Sequence, residues 1–404
     1  MNSHGNTRFH HLLAVLAALC ISCRHAGDAL PKQPRKEMVG ATVHSAAGRT
    51  EPRRDWGVAY YMPYDNSLAS LGPRIIDRIE RGTRSRNIVS AVQADFVGKG
   101  GMCRHAILAE GTHRIPVPSE RSADPEQAIA YLRWFVETFP CRKYAFIFLG
   151  HGGKVDQMCS DLHPGPGGEH WMSGNMLGRK LREFRNSTHA RVELVFLQQC
   201  GRGSVENLYS FRKTANFVMS SPINVGAPNT YRTRLNGWLA AHPDATGDGI
   251  ARKIAAEDRD FAVYTCARGD RLAELAPRLD QAIKPLLDGK ELSPPTLPPV
   301  IYSSGRERAV DFRALLHSLA KANSGETARI AQLHEWVGKE LLTSVNFNPR
   351  QRDLSATHCG LSVFVPSQAA DLDRYAQLDL YRETDLPALW KRLMAPEKNA
   401  AKTR

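Results

Sequence analysis

The 404-residue sequence lacks any late apolar run of the roughly 20 residues that a membrane-spanning helix needs. It also has no internal repeat, which argues against a stacked or solenoid architecture. Cysteine is scarce, at eight residues. Two of these, Cys20 and Cys23, lie at the amino terminus, and the other six (Cys103, Cys141, Cys159, Cys200, Cys266, Cys359) are widely spread. That spacing excludes the dense disulfide framework of a small stapled domain, and no pairing can be read from it. Acidic residues are outnumbered, 41 against 54 Lys and Arg, for a net charge of +13. Such a charge suits nucleic acid or anionic lipid. The basic residues are scattered, however, and no stretch interleaves them with aromatics as a base-stacking platform requires. No nucleic-acid partner is expected, and the charge reads as a solvated surface. A hydrophobic fraction of 42% and this length fit a globular chain of two or three domains.

The first residues, MNSHGNTRFHHLLAVLAALCISC, have the pattern of an export signal. Arg8 gives a positive start, and Leu12 to Ile21 form an apolar segment too short to span a bilayer. The Ser22-Cys23 step resembles the bacterial lipobox, although Cys20 stands where Leu is usual. We expect residues 1–23 to be a lipoprotein-type signal, with Cys23 lipidated and anchoring the chain to a bacterial envelope membrane. An ordinary cleaved signal and a secreted product are the alternative. Residues 24–54, rich in Pro, Lys, Arg and Gly, read as a flexible tether, and 395–404 as a tail.

From Trp56 onward, strand and helix patterns alternate. WGVAYYM (56–62), NIVSAVQADF (87–96), residues 144–149, 192–197 and 216–221 read as strands. Between them lie helical stretches at 68–81, 125–139, 173–185 and 204–213; Asp124 and Pro125 mark the start of the second. This rhythm predicts an α/β fold with a mostly parallel sheet and helices on both faces. We assign residues 55–245 to that catalytic domain and 246–394 to a mixed α/β C-terminal region. The latter holds strands at 260–267 and 359–366, helices at 269–288, 308–322, 325–343 and 385–394, and a Pro-rich hinge at 293–300.

Two of the strands end abruptly in chemistry. YAFIFL stops at Gly150-His151-Gly152-Gly153, and VELVFLQQ stops at Cys200 followed by glycines. Ligands of open α/β sheets bind beyond the carboxyl ends of the strands, and the intervening helix makes these two strands neighbours. Imidazole and thiol then share one rim. A neighbouring His raises the thiolate fraction or takes the proton during attack. The N–H groups of Gly152 and Cys200 are the candidate oxyanion donors.

On these residues the sequence resembles the clostripain family of cysteine peptidases and, more distantly, the caspases, all of the caspase and gingipain clan. The caspase His lies about 50 residues before the Cys; here 200 − 151 = 49. FLGHGG and FLQQCGRGSVE match the family's two strand ends, YYMPYDNSLASL its opening strand and Asp-Asn motif, and ANFVMSSPINVGAPNTY the segment after the nucleophile. The resemblance covers about residues 56–394. It implies a caspase-like fold and an endopeptidase acting on protein or peptide substrates with His151 and Cys200, needing no cofactor for the chemistry. Gln198 and Ser220 are its specificity-pocket candidates. The family has Asp at the position of Gln198, where it pairs with the Arg or Lys before the scissile bond. An amide cannot neutralise that cation, which leaves the family's basic preference without its carboxylate. Should a basic preference persist, Asp156, Asp161 or Glu206 would have to supply the charge. Clostripain is associated with calcium, but no calcium site can be located: DATGDG (244–249) has Ala255 where a calcium loop needs Glu and reads instead as a helix start. Two rival readings stay open, a catalytically weak envelope binding lipoprotein and a zinc-dependent hydrolase using His151, Cys159 and His163.

Overall fold

The computed structural model describes residues 37–38, 53–98, 101–163, 168–258, 263–289, 292–323, 327–348 and 352–394. The signal, Cys23, nearly all of the tether and the tail lie outside the described residues. In chain order the first half comprises β1 (Glu37–Met38), β2 (Arg54–Tyr64), α1 (Gly72–Gly82), β3 (Ile88–Phe96), β4 (Met102–Ile107), β5 (Thr112–Val117), α2 (Pro125–Thr138), β6 (Cys141–Leu149), β7 (Gln157–Asp161), β8 (His170–Ser173), α3 (Gly174–Thr188) and β9 (Val192–Gln198). There follow α4 (Val205–Ser210), β10 (Phe217–Ser220), α5 (Arg232–Ala241), α6 (Gly247–Glu257), β11 (Val263–Arg268), α7 (Leu275–Asp288), β12 (Val300–Ser304), β13 (Glu307–Asp311), α8 (Phe312–Ala322), α9 (Thr327–Trp336) and β14 (Leu342–Phe347). The chain closes with α10 (Arg352–Ser355), β15 (Ser362–Val365), α11 (Ala369–Tyr375), α12 (Asp379–Arg382) and α13 (Leu386–Met394).

One ten-stranded sheet has the order β1-β5-β4-β3-β2-β6-β9-β10-β11-β14. Its centre, β3-β2-β6-β9-β10, is parallel, and antiparallel strands extend both edges. The central strands are apolar on both faces because both faces are covered. On β2, Trp56, Val58, Tyr60, Met62 and Tyr64 enter one core with Ile75, Ile79, Leu235 and Ile254 from α1, α5 and α6. Ala59 and Tyr61 enter the other, with Tyr131, Phe135, Leu181 and Phe184 from α2 and α3. The expected α/β sheet with helices on both faces is present.

Local signals set the helix starts. Asp124 accepts from the Glu126 N–H ahead of α2, Ser173 from Met176 ahead of α3, and Thr246 from Gly249 ahead of α6. DATGDG is therefore a helix cap. The structure also holds strands where the sequence predicts none. Between the strands at 144–149 and 192–197 it forms the β7–β8 hairpin, and β5, β12 and β13 have no counterpart among the predicted strands. Residues 325–343, read as one helix, end in a π-helical turn at Val337–Leu341 and continue as β14, where β-branched Thr343 and Val345 favour a strand. Both β11 and β14 come from the region after residue 245 yet hydrogen-bond onto the same sheet. Described residues on both sides of 245 thus share one sheet.

Asp379 in α12 fastens this C-terminal region to α3 and α4. Its carboxylate, 2% exposed, meets Arg179, Arg182, Arg212 and Arg382 at 2.5–3.1 Å. Burial opposes its charge, but the arginines prevail and hold the carboxyl well below the usual 3.8. The stabilisation is thus complete above that ordinary value and is lost as the pH falls towards the lowered one. Replacing Asp379 with Ala leaves four cations facing one another, with an expected cost of about 3–5 kcal/mol. Denaturant melts of the variant and the parent check this, and the gap should close on acidification.

Candidate active site

The carboxyl ends of β2, β6 and β9 form a rim on the sheet, and the strand order reverses between β2 and β6. His151 follows β6 and Cys200 follows β9, which pair in parallel from Tyr144 to Leu149. The two loops touch. A Cβ added to Gly152 would lie 2.0 Å from the Cys200 carbonyl oxygen and 3.1 Å from its nitrogen, so only glycine permits this approach. Gly152 and Met158 are a non-hydrogen-bonded antiparallel pair, flanked by bonds from Cys159 N to His151 O and from Gly153 N to Gln157 O. The N–H of Gly152 itself is therefore turned away from β7. The two sequence-predicted residues and the first oxyanion candidate are together on one rim.

Several contacts that the sequence did not announce fix this arrangement. Arg202, fully buried, donates to the carbonyls of Gly153 (2.8 Å), Lys154 (3.0 Å), Val155 (3.0 Å) and Cys200 (3.1 Å), and to Asn207 Oδ1 (3.3 Å). One guanidinium thus ties the His-Gly-Gly loop to the Cys loop. Tyr302 of β12 donates its hydroxyl to the carbonyls of Gly152 (2.7 Å) and Gly153 (2.9 Å). Its ring lies where a Cβ on Gly201 would be, 2.3 Å away, and Gly201 has a left-handed φ of +67°. Glu307 of β13 accepts from the Val155 N–H at 2.7 Å.

His151 Nε2 and the Ser67 hydroxyl form a 2.9 Å hydrogen bond. Burial lowers the His151 pKa from 6.5, with the Glu169 charge acting the other way. The ring is therefore neutral and able to accept a proton near neutral pH. Cys200 Sγ accepts from the Val225 N–H at 3.2 Å, and the thiol can donate to the Val225 carbonyl at 3.7 Å. Among the described residues the other cysteines form no disulfide. Burial pushes Cys141, Cys266 and Cys359 up to about 12, and raises Cys159 further.

The pocket candidates part company. Gln198 lies on the face of Leu194 and Phe196, where Oε1 accepts from the Tyr231 hydroxyl (2.7 Å) and Arg232 Nη2 (2.9 Å). Ser220 follows the alternation of β10 onto the face of Val218, and its partner across the sheet is Thr265. Ser220 and Gln198 thus lie on opposite faces of the sheet. The acids held in reserve are engaged elsewhere. Asp156 accepts from Ser173 and the Asn175 N–H, Glu206 from the Phe364 N–H, and Asp161 from the Ser122 N–H.

The zinc reading finds no support. Among the described residues, His151, Cys159 and His163 form no ligand group: the Cys159 thiol is buried against Leu149 O and Gln199, and His163 bonds to Asp65 at 2.9 Å. Asp65, Asp95 and Asp161 do converge, with ligand atoms within 4.8 Å of one another. Burial, with the other carboxylates adding to it, pushes Asp95 up to about 7. An all-oxygen donor set of this kind fits a hard cation such as calcium.

No family model matches the sequence, and no curated protein matches it. Solved structures do. An inactive zymogen C11 protease from Parabacteroides distasonis superposes with a TM-score of 0.61 at 17% identity, over 83% of this chain and 99% of that one. A secreted C11 cysteine protease from Bacteroides thetaiotaomicron, in complex with an irreversible peptide inhibitor, gives 0.61 at 15% identity over 82% and 99%. The secreted C11 protease iotapain of the same organism gives 0.57 at 11% identity over 82% and 100%. The chain has the fold of the clostripain-like C11 cysteine proteases.

These environments order the thiols by reactivity. A pKa raised by three units cuts the thiolate fraction about a thousandfold. Iodoacetamide at neutral pH is expected to modify Cys200 at least about a hundredfold faster than Cys141 or Cys266. Timed peptide mass mapping reads the order, and equal rates would contradict it.

Proposed function

We propose that the chain is an exported cysteine endopeptidase of the clostripain type, with Cys200 as nucleophile and His151 as general acid and base. The observation that carries this reading is the packing of Gly152 on the Cys200 backbone at the rim of adjacent parallel strands. The C11 protease fold around it supports the same class of reaction. That one such structure holds a peptide inhibitor supports a protein or peptide substrate here.

In the first step His151 takes the thiol proton and the sulfur attacks the scissile carbonyl carbon. The oxyanion forms within reach of the Gly152 and Cys200 N–H groups. Collapse breaks the C–N bond, His151 protonates the departing amine, and an acyl-thioester remains. Water then gives a proton to His151 and attacks the thioester. The acid leaves, and the thiol recovers its proton. Every proton passes through His151, and the chemistry calls for no cofactor.

Cys200→Ala is expected to abolish cleavage of a casein substrate while the thermal melt barely moves. His151→Ala should lose at least about a thousandfold in kcat/KM, since the two act as a unit. A twofold loss would reduce His151 to a turn residue. Because burial lowers the His151 pKa, the acid limb of kcat/KM should lie below pH 6.5.

For the location, the signal sequence supports an envelope lipoprotein carried by Cys23. Labelled palmitate should appear on the wild type and vanish with Cys23→Ser. No label on either would favour a secreted form.

A further inference from the structure

Gln198 stands where the clostripain resemblance places a carboxylate, and the structure supplies it with an unexpected partner. Arg232, at the first turn of α5, is fully buried and directs Nη2 at Gln198 Oε1 and Nη1 at Asn229 O (3.2 Å). Among the described residues no carboxylate lies within ion-pairing distance of this guanidinium. Asp258, which acts on it from further away, is occupied by Asn229, Thr230 and Tyr264. Because both groups that meet Gln198 Oε1 are donors, the amide orientation is fixed and Nε2 faces elsewhere.

Three polar atoms in this neighbourhood have no partner while buried: Gln198 Nε2, Arg232 Nε and the Tyr60 hydroxyl. All three can donate. Tyr60 lies on the same sheet face as Gln198 and is electrostatically coupled to Arg232. A buried cluster with donors to spare, and a cation with no counter-ion, is complementary to an anionic acceptor. It is also connected to the nucleophile. The segment 222–230 places Val225 N–H on Cys200 Sγ at one end and Asn229 O on Arg232 at the other. A side chain extending from a carbonyl bound at Cys200 could follow that segment to Arg232.

We propose that Arg232 and Gln198 form the specificity pocket and that it takes Asp or Glu immediately before the scissile bond. This rests on the peptidase reading above. The substrate carboxylate accepts from Arg232 Nε, Gln198 Nε2 and the Tyr60 hydroxyl, and supplies the counter-ion that Arg232 lacks. A Lys or Arg at that position would meet a like charge. Arg232 acts here as a specificity residue, with no part in bond breaking.

The test is kcat/KM of the full chain on fluorogenic peptides that differ only in the residue before the scissile bond: Asp, Asn, Glu, Gln, Leu, Lys and Arg. Asp is expected to exceed Asn, its near-isostere, by about tenfold or more, with Lys and Arg poorest. The wild-type comparison needs no variant to fold. Arg232→Gln should erase the Asp-over-Asn ratio, and Arg232→Lys should keep part of it. Gln198→Asp should erase it too, by pairing with Arg232 internally, without creating a preference for Arg. A ratio near one, or a preference for Lys or Arg, with cleavage still abolished by Cys200→Ala, overturns the acidic pocket and leaves the peptidase reading intact. Absence of Cys200-dependent cleavage of any peptide and of casein overturns both.

Discussion

The guanidinium of Arg202, enclosed on all sides, joins the carbonyls of residues 153–155 to that of Cys200, and the geometry of the rim depends on this bracket. A buried cation without a carboxylate is costly unless its donors are met. Here five acceptors meet them, four of them backbone carbonyls of the two loops. The bonds are mutual. The loops solvate the charge, and the charge fixes the distance between the loops. The Gly152 contact with Cys200 follows from that spacing, because any larger side chain would push the two loops apart.

How much of this the sequence disclosed depended on the range of the interaction. An apolar strand that ends in Gly-His-Gly or in Cys-Gly is a local pattern, and the helix between the two strands announced their adjacency. Arg202 also stands in plain view in CGRG. Its meaning was hidden because the carbonyls that it binds in the His-Gly-Gly loop lie 47 to 49 residues upstream. The same holds for Gln198, whose partner Arg232 is 34 residues downstream. Ser220 was named on resemblance alone, which carries no strand face, and β10 turns it to the face opposite that of Gln198. The β7–β8 hairpin escaped notice because its strands are only five and four residues long and mix polar with apolar side chains.

Among the described residues, buried Arg202 and Arg232 contact no carboxylate, but their surroundings differ. Arg202 is saturated by acceptors, which makes it a fixture of the fold. Arg232 keeps an unpaired Nε beside other unpaired donors, so its surroundings are incomplete in the chain alone. This contrast, more than burial or charge, separates a structural cation from one that awaits a ligand. A single substitution at Gln198 therefore cannot be read in isolation. In this chain the residue belongs to a pair.

Tyr302 and Glu307 reach the His-Gly-Gly loop from a small sheet, β12-β13-β15, that the ribosome makes after the rest of the rim. Translation is slow compared with the folding of a local sheet, and chains fold from the amino end as they emerge. Cys200 and His151 therefore leave the ribosome well before the groups that hold their loop in place. A nascent chain ending before residue 300 would carry the Arg202 bracket but lack the Tyr302 and Glu307 contacts on the His-Gly-Gly loop. The brace is thus the last layer added to a rim that Arg202 already spans.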